Sequence, residues 1–235
     1  MNRRRMRQGN ARRNTASGLR GLRCLVASAL ALLQSGTIAA GEISRPRLEE
    51  GRIVLDSDLV LKSYVWAFGT APIDANAILT RNTEDISPPP PAQPTPEQRV
   101  VLEQIAKDLR THPQLVIHAD DIAFEPSPGH PGAFDITNRL FVETARYYFD
   151  NSRYHYLFRS AGSLRTWEPP SREVAAALAR SVTAYDHFRM DIAARVVRAD
   201  PAELSLELAI ERVDLRSANG RLLWSRPVAG AATHN

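Results

Sequence analysis

Between His187 and Val228 apolar and polar residues alternate with a period of two, and this commits the end of the chain to β-sheet. Met190, Ile192, Ala194 and Val196 fall on one side of the first run, while Asp191, Arg195 and Arg198 are polar interruptions on a solvated side or at the end. Asp200-Pro201 turns the chain. Leu204, Leu206, Leu208 and Ile210 then alternate with Ser205, Glu207, Ala209 and Glu211, after which the apolar parity moves to Val213 and Leu215. A slip of one residue carries every side chain to the other face, so the change of parity predicts a β-bulge near Glu211–Arg212. Asn219-Gly220 is a hairpin signal because both residues tolerate positive φ, and Arg221–Val228 returns as the third strand.

The helices announce themselves differently. Thr95, Pro96 and Gln98 supply an N-cap, a first helical residue without an N–H, and the far end of a capping box. Leu102, Ile105 and Leu109 form the apolar stripe behind them. Ser171 caps a second helix, with Val174, Leu178, Val182 and Tyr185 on one side. Residues 58–68 read as a buried helix with Asp58 as its cap, and a short helix is expected at Asp74–Leu79. Strands are expected at Arg52–Leu55, Gln114–Ala119, Phe134–Val142, Ala145–Phe149 and Arg153–Ser160. The pattern predicts an α+β fold: an antiparallel sheet, two main helices packed on one face, and a closing three-stranded meander. Residues 41–86 form an N-terminal helical segment and 87–96 a proline-rich linker, in which six of the nine residues from Pro88 to Pro96 are proline. Residues 97–235 form the α+β domain, one globular unit with 41–86.

Residues 1–40 read as an export signal. They hold eight arginines and no acidic residue, followed by a largely apolar nine-residue stretch from Leu25 to Leu33 and by the small residues Ala39 and Ala40. The stretch is too short for a spanning helix, which needs about twenty residues. Removing the segment takes eight of the 30 basic residues and leaves 22 against 26 acidic ones, a formal charge of −4. The basic balance of the whole chain therefore gives no ground for expecting nucleic acid as a partner. The single cysteine, Cys24, lies in the same segment, so the mature chain has no disulfide, thiolate nucleophile or cysteine-bound metal. A periplasmic or secreted protein without a stable membrane span is expected.

Two constellations bear on chemistry. His118, Asp120 and Asp121 form H-x-D-D at the end of a strand, and with His130 could hold a divalent metal. Adjacent residues on a strand point to opposite faces, so at most one aspartate joins His118; a polar loop after a strand, with no metal, is the reading adopted. His118 and Asp120 are the candidate catalytic residues should the chain be a hydrolase. The second constellation is aromatic: Phe141, Tyr147, Tyr148, Phe149, Tyr154, Tyr156 and Phe158 crowd one hairpin. Tyr147, Tyr154 and Tyr156, with Arg153 and Arg159, could form a platform for a peptide or glycan. Alternatively the rings fill the core beneath the helices. No glycine-rich phosphate loop, nucleophile elbow or paired-histidine spacing is present, and no cofactor is expected.

Tyr64 to Gly69 (YVWAFG), Gly132 to Asp135 (GAFD) and the closing Asn219-Gly220-Arg221-Leu222 resemble an uncharacterised family of exported bacterial proteins, a domain of unknown function. The resemblance implies an envelope protein and carries no catalytic residues with it. The expected role is a non-catalytic binding or assembly protein of the bacterial cell envelope, with an exported hydrolase, with or without a metal, as the alternative.

Overall fold

The computed structural model describes residues 43–80, 93–149, 152–184 and 187–228. The expected leader, the first part of the proline-rich stretch, and Tyr185 lie outside them. The described chain begins with β1 (Leu48–Glu49) and β2 (Arg52–Val54), joined by a turn in which Glu50 and Gly51 take φ of 50° and 76°. Then follow α1 (Asp58–Phe68), α2 (Ala75–Leu79), α3 (Pro96–Arg110), β3 (Gln114–Ile122), β4 (Phe124–Pro126), β5 (Phe134–Ile136), β6 (Tyr147–Tyr148), β7 (His155–Arg159), β8 (Thr166–Trp167), α4 (Arg172–Ala184), β9 (Phe188–Asp200), β10 (Ser205–Arg216) and β11 (Leu222–Pro227).

Local chemistry accounts for the helix ends. At α3 the Thr95 hydroxyl accepts from the Gln98 N–H (3.2 Å) and the Gln98 side chain accepts from the Thr95 N–H (2.9 Å), which is the predicted capping box. The Ser171 hydroxyl accepts from the Val174 N–H at the head of α4 (3.2 Å). The cap of α1 is Ser57, one residue before the expected Asp58, whose carboxylate instead turns to Lys62.

The large sheet has eight strands in the order β1-β2-β3-β9-β10-β7-β6, with β11 also on β10. It is mixed rather than antiparallel, because β2 pairs β3 and β7 pairs β10 in parallel. Three helices separate β2 from β3, and a crossover of that kind returns the chain in its original direction. Alternation reports which face a side chain takes and is blind to the direction of the neighbouring strand. β9, β10 and β11 form the predicted meander, and the register between β9 and β10 steps between Ile210 and Arg212, placing the bulge at Glu211. The first half of β10 pairs with β7 and the second with β11, so these two strands share one edge of β10 end to end.

Helix α1 lies directly against β9 and β10, α3 packs on α1, and α4 meets β4. The inner helix layer is thus α1, whose Leu61, Tyr64 and Val65 are fully buried. Beneath it lie Met190, Ile192 and Ala194 of β9 and Leu206, Leu208, Val213 and Leu215 of β10. A second sheet, β4-β5-β8, is joined to the first by Trp167 and Trp224, whose rings meet edge to face at 4.7 Å. The expected strand at Phe134–Val142 shortens to β5, because the chain beyond it turns around Arg165. That guanidinium donates to the carbonyls of Ile136 (3.1 Å), Asn138 (3.4 Å) and Leu140 (3.5 Å). Among the described residues no helix is long and apolar enough to cross a membrane.

Candidate functional site

The face of the large sheet opposite α1 carries a row of polar residues set by register. His118 of β3 lies opposite Asp191 of β9, Asp191 opposite Asp214 of β10, and Asp214 opposite Ser225 of β11. Two aspartates side by side across neighbouring strands repel, and such a pair persists only when cations answer both. Arg216 bonds to Asp191 through Nε, and Arg212 Nε bonds to Asp214 at 2.9 Å. His118 Nδ1 lies 2.7 Å from the other oxygen of Asp191, and the Ser225 hydroxyl donates to Asp214 at 2.5 Å. The bulge at Glu211 makes this possible. In a strand of the same sequence without a bulge, Arg212, Asp214 and Arg216 would follow the parity of Ile210 into the core.

The β1–β2 hairpin closes one side. Glu49 reaches His118 Nε2 (2.9 Å) and Arg47 (3.3 Å), and Glu50 lies 3.9 Å from Arg212. Arg52 spans to Glu211 (2.8 Å). These groups surround a concave space of about 290 Å³ lined by Glu49, Glu50, Arg52, Val116, His118, Asp191, Ala193, Arg212, Asp214 and Arg216. That volume lies at the lower end of the range for ligand pockets, roughly 300–1,000 Å³. It suits a small polar group or the tip of a larger partner.

Partial burial pushes the Asp191 carboxyl up, but hydrogen bonds from Arg216 and His118 together with their charges outweigh it, and the group sits below the usual aspartate value. The same contact holds the Arg216 guanidinium above its ordinary value. Both nitrogens of His118 face carboxylate oxygens, Nδ1 that of Asp191 and Nε2 that of Glu49. Neither nitrogen points into open space. Glu49 and Asp191 stand on opposite sides of the ring, so their oxygens do not converge on one point. Among the described residues no group of three or more His, Cys, Asp or Glu is placed to hold a metal ion.

The sequence-derived candidates are dispersed. Asp120 pairs with Arg189 (2.8 Å) and Asp121, at φ 57°, lies 3.5 Å from His187, so neither joins His118. His130 sits in the loop between β4 and β5. Tyr154 and Tyr156 belong to the core, whereas Tyr147 and Phe149 are half-buried and Tyr148 is exposed. Tyr154 is 2 % exposed and Tyr156 8 %, and the Tyr154 hydroxyl accepts from Trp66 Nε1 (3.0 Å). The ring of Tyr147 stacks on Tyr156 at 5.1 Å, and its hydroxyl accepts from the Phe141 N–H (2.9 Å) while donating to the Arg139 carbonyl (3.1 Å). A ligand cannot stack on rings that are already buried, as those of Tyr154 and Tyr156 are. Arg153 is exposed, and Arg159 is exposed and pairs with Glu207 (3.5 Å), on the strand face away from those rings. The five-residue set Tyr147, Arg153, Tyr154, Tyr156 and Arg159 therefore does not form one surface.

Sequence reasoning found His118 and missed its companions. Asp191, Asp214, Arg212 and Arg216 have a readable signal, charged residues at alternating positions on the polar side of two strands, but Glu49 has none. Compared with known proteins, the chain matches no family model, no curated protein and no solved structure.

Proposed function

We propose that the chain is an exported, non-catalytic binding protein of the bacterial cell envelope and that the polar face around His118, Asp191, Asp214, Arg212 and Arg216 is where it meets a protein or peptide partner. The observation that carries this reading is the engagement of both His118 nitrogens by carboxylates. The one histidine that a hydrolase mechanism would use has no free nitrogen, and its expected partner Asp120 serves Arg189 instead. What is left is a fixed array of alternating charges, partly open to solvent, and arrays of that kind confer specificity and orientation on an encounter. Export rests on the arginine-rich, then apolar, then small-residue order of residues 1–40, and the resemblance to exported proteins of unknown function agrees with it.

The test is site-specific photocrosslinking in the producing cell. A photoreactive residue in place of Glu50, at the rim of the concave space, should yield a discrete envelope adduct. The same residue in place of Arg159, on the outer side of β7, should not. Identical adducts from both positions would remove the polar face as the contact. A hydrolytic activity lost in His118→Ala with the fold intact would remove the non-catalytic reading.

A further inference from the structure

We infer that Arg212 and Arg216 form a fork for an oxyanion, a carboxylate or phosphate group carried by whatever this face binds; the inference rests on the proposed contact surface and names its ligand chemistry. The two arginines are four residues apart on β10, on the same side as Asp214 between them. Each is fixed at the Nε edge. Arg216 bonds Asp191 and also donates from Nη1 to the Gly220 carbonyl (3.2 Å), while Arg212 bonds Asp214 (2.9 Å). Asp191 and Asp214 are neighbours across the strands, so the two guanidiniums lean toward one row from opposite sides. Among the described residues, Nη1 of Arg212 and Nη2 of Arg216 have no protein acceptor, and both side chains line the same concave space.

That is the arrangement anion recognition requires. A guanidinium has five N–H donors in a rigid plane, and a carboxylate or phosphate takes two of them in parallel. Fixing the Nε edge to a partly buried acid removes rotational freedom from the side chain before binding, and so lowers the cost of ordering it. A lone exposed arginine offers neither property.

The acids around the space decide its selectivity. Glu49 is taken up by His118 and Arg47. Asp191 and Asp214 accept at both oxygens. Glu50 is different: it is 84 % exposed, sits at the hairpin turn and approaches Arg212 at 3.9 Å, beyond hydrogen-bond length. Its carboxylate is a loosely held internal stand-in for the external anion, and a ligand group would displace it.

The experiment follows the arginine side-chain N–H resonances of the mature chain during titration with sodium phosphate and, separately, sodium acetate, against sodium chloride at matched ionic strength. Saturable shifts of Arg212 and Arg216 are expected with at least one of the two anions and not with chloride, and the anion that saturates at lower concentration identifies the group. Arg212→Gln and Arg216→Gln should each weaken binding about tenfold. Glu50→Gln touches no buried partner and should tighten it about two- to fivefold. Shifts that stay linear for both anions, or a Glu50→Gln chain that binds no more tightly than the parent, would overturn the inference. If anion binding fails while the Glu50-position crosslink persists, the contact face stands and only its chemistry is reassigned. If the crosslink fails while the anion still saturates, the fork stands and the proposed function falls.

Discussion

Asp191 is the residue on which the polar face turns. It accepts from a histidine on one neighbouring strand and from an arginine on the other, and its carboxyl is held below the usual aspartate value. A carboxyl depressed in the folded state stabilises the fold at pH values above its unfolded pKa, about 3.9, and that contribution is lost as pH falls through the folded value. The melting temperature of the parent chain should therefore fall as the medium is acidified below about pH 5. Asp191→Asn should flatten this part of the curve and should lower the melting temperature at neutral pH, where Arg216 loses its anion. A second residue of interest is Lys62, 1 % exposed on the inner side of α1. Its ammonium meets Asp58 (2.7 Å) and the Thr80 carbonyl (2.5 Å), and stands 5.3 Å from the centre of the Tyr154 ring. One oxygen of Asp58 is buried without a hydrogen-bond partner, so the carboxylate depends on Lys62 for its compensation. Lys62→Met should cost about 3 kcal/mol in urea unfolding, and Lys62→Met with Asp58→Asn should recover more than half of it, since the stranded charge is then removed.

At the scale of elements, the bulge at Glu211 sorts β10 into two registers, each with its apolar residues inward. Deleting Glu211 removes the bulge and leaves Ile210, Val213 and Leu215 on one parity, opposite Ala194, Ile192 and Met190 as in the parent chain. The three charges Arg212, Asp214 and Arg216 stay on the polar face, and the strand loses the ion pairs of Glu211 with Arg52 and Arg195. The deletion should therefore retain cooperative unfolding, read by near-UV circular dichroism, and a loss of cooperativity would show that the bulge itself holds the register. Much at this scale is legible beforehand. The capping box at Thr95, the cap at Ser171, the helix over 58–68 and the parity change near Arg212 are all local, and each of them shapes the structure. The strands at Phe134–Val142 and Ala145–Phe149 are shorter than their composition suggests. Arg165, from the other side of the loop, draws the intervening carbonyls into turns.

At the scale of the molecule, the end of α1 meets the turn between β9 and β10. A Cβ built on Gly69 would lie 2.3 Å from Cγ and 2.7 Å from Cδ of Pro201, and 2.8 Å from the Val65 carbonyl oxygen. Glycine is needed there for space rather than for backbone freedom. Gly69→Ala should destabilise by about 1–3 kcal/mol in urea unfolding, because the helix or the turn must shift to make room. Gly129→Ala, with open space around its Cβ, is the control and should change stability little. The layered arrangement itself has the same origin. Helix α1 comes to lie on β9 and β10, more than a hundred residues later in the chain, and α3 covers α1 rather than the sheet.

Period and end chemistry determined which residues turn inward, where the two long helices start, and where β10 changes face, since those properties depend on neighbours within a few positions. They also placed Asp191 on the polar side of its strand. What only the tertiary structure decided is who stands beside whom. His118 meets Asp191 across 73 residues of chain and Glu49 across 69, and β7 joins β10 in parallel, by a register that no local pattern encodes. The aromatic hairpin makes the same distinction from the other direction. Its rings were visible in the sequence, but whether they met water or α1 depended on which layer packed against them, and burial of so much apolar ring surface decided it.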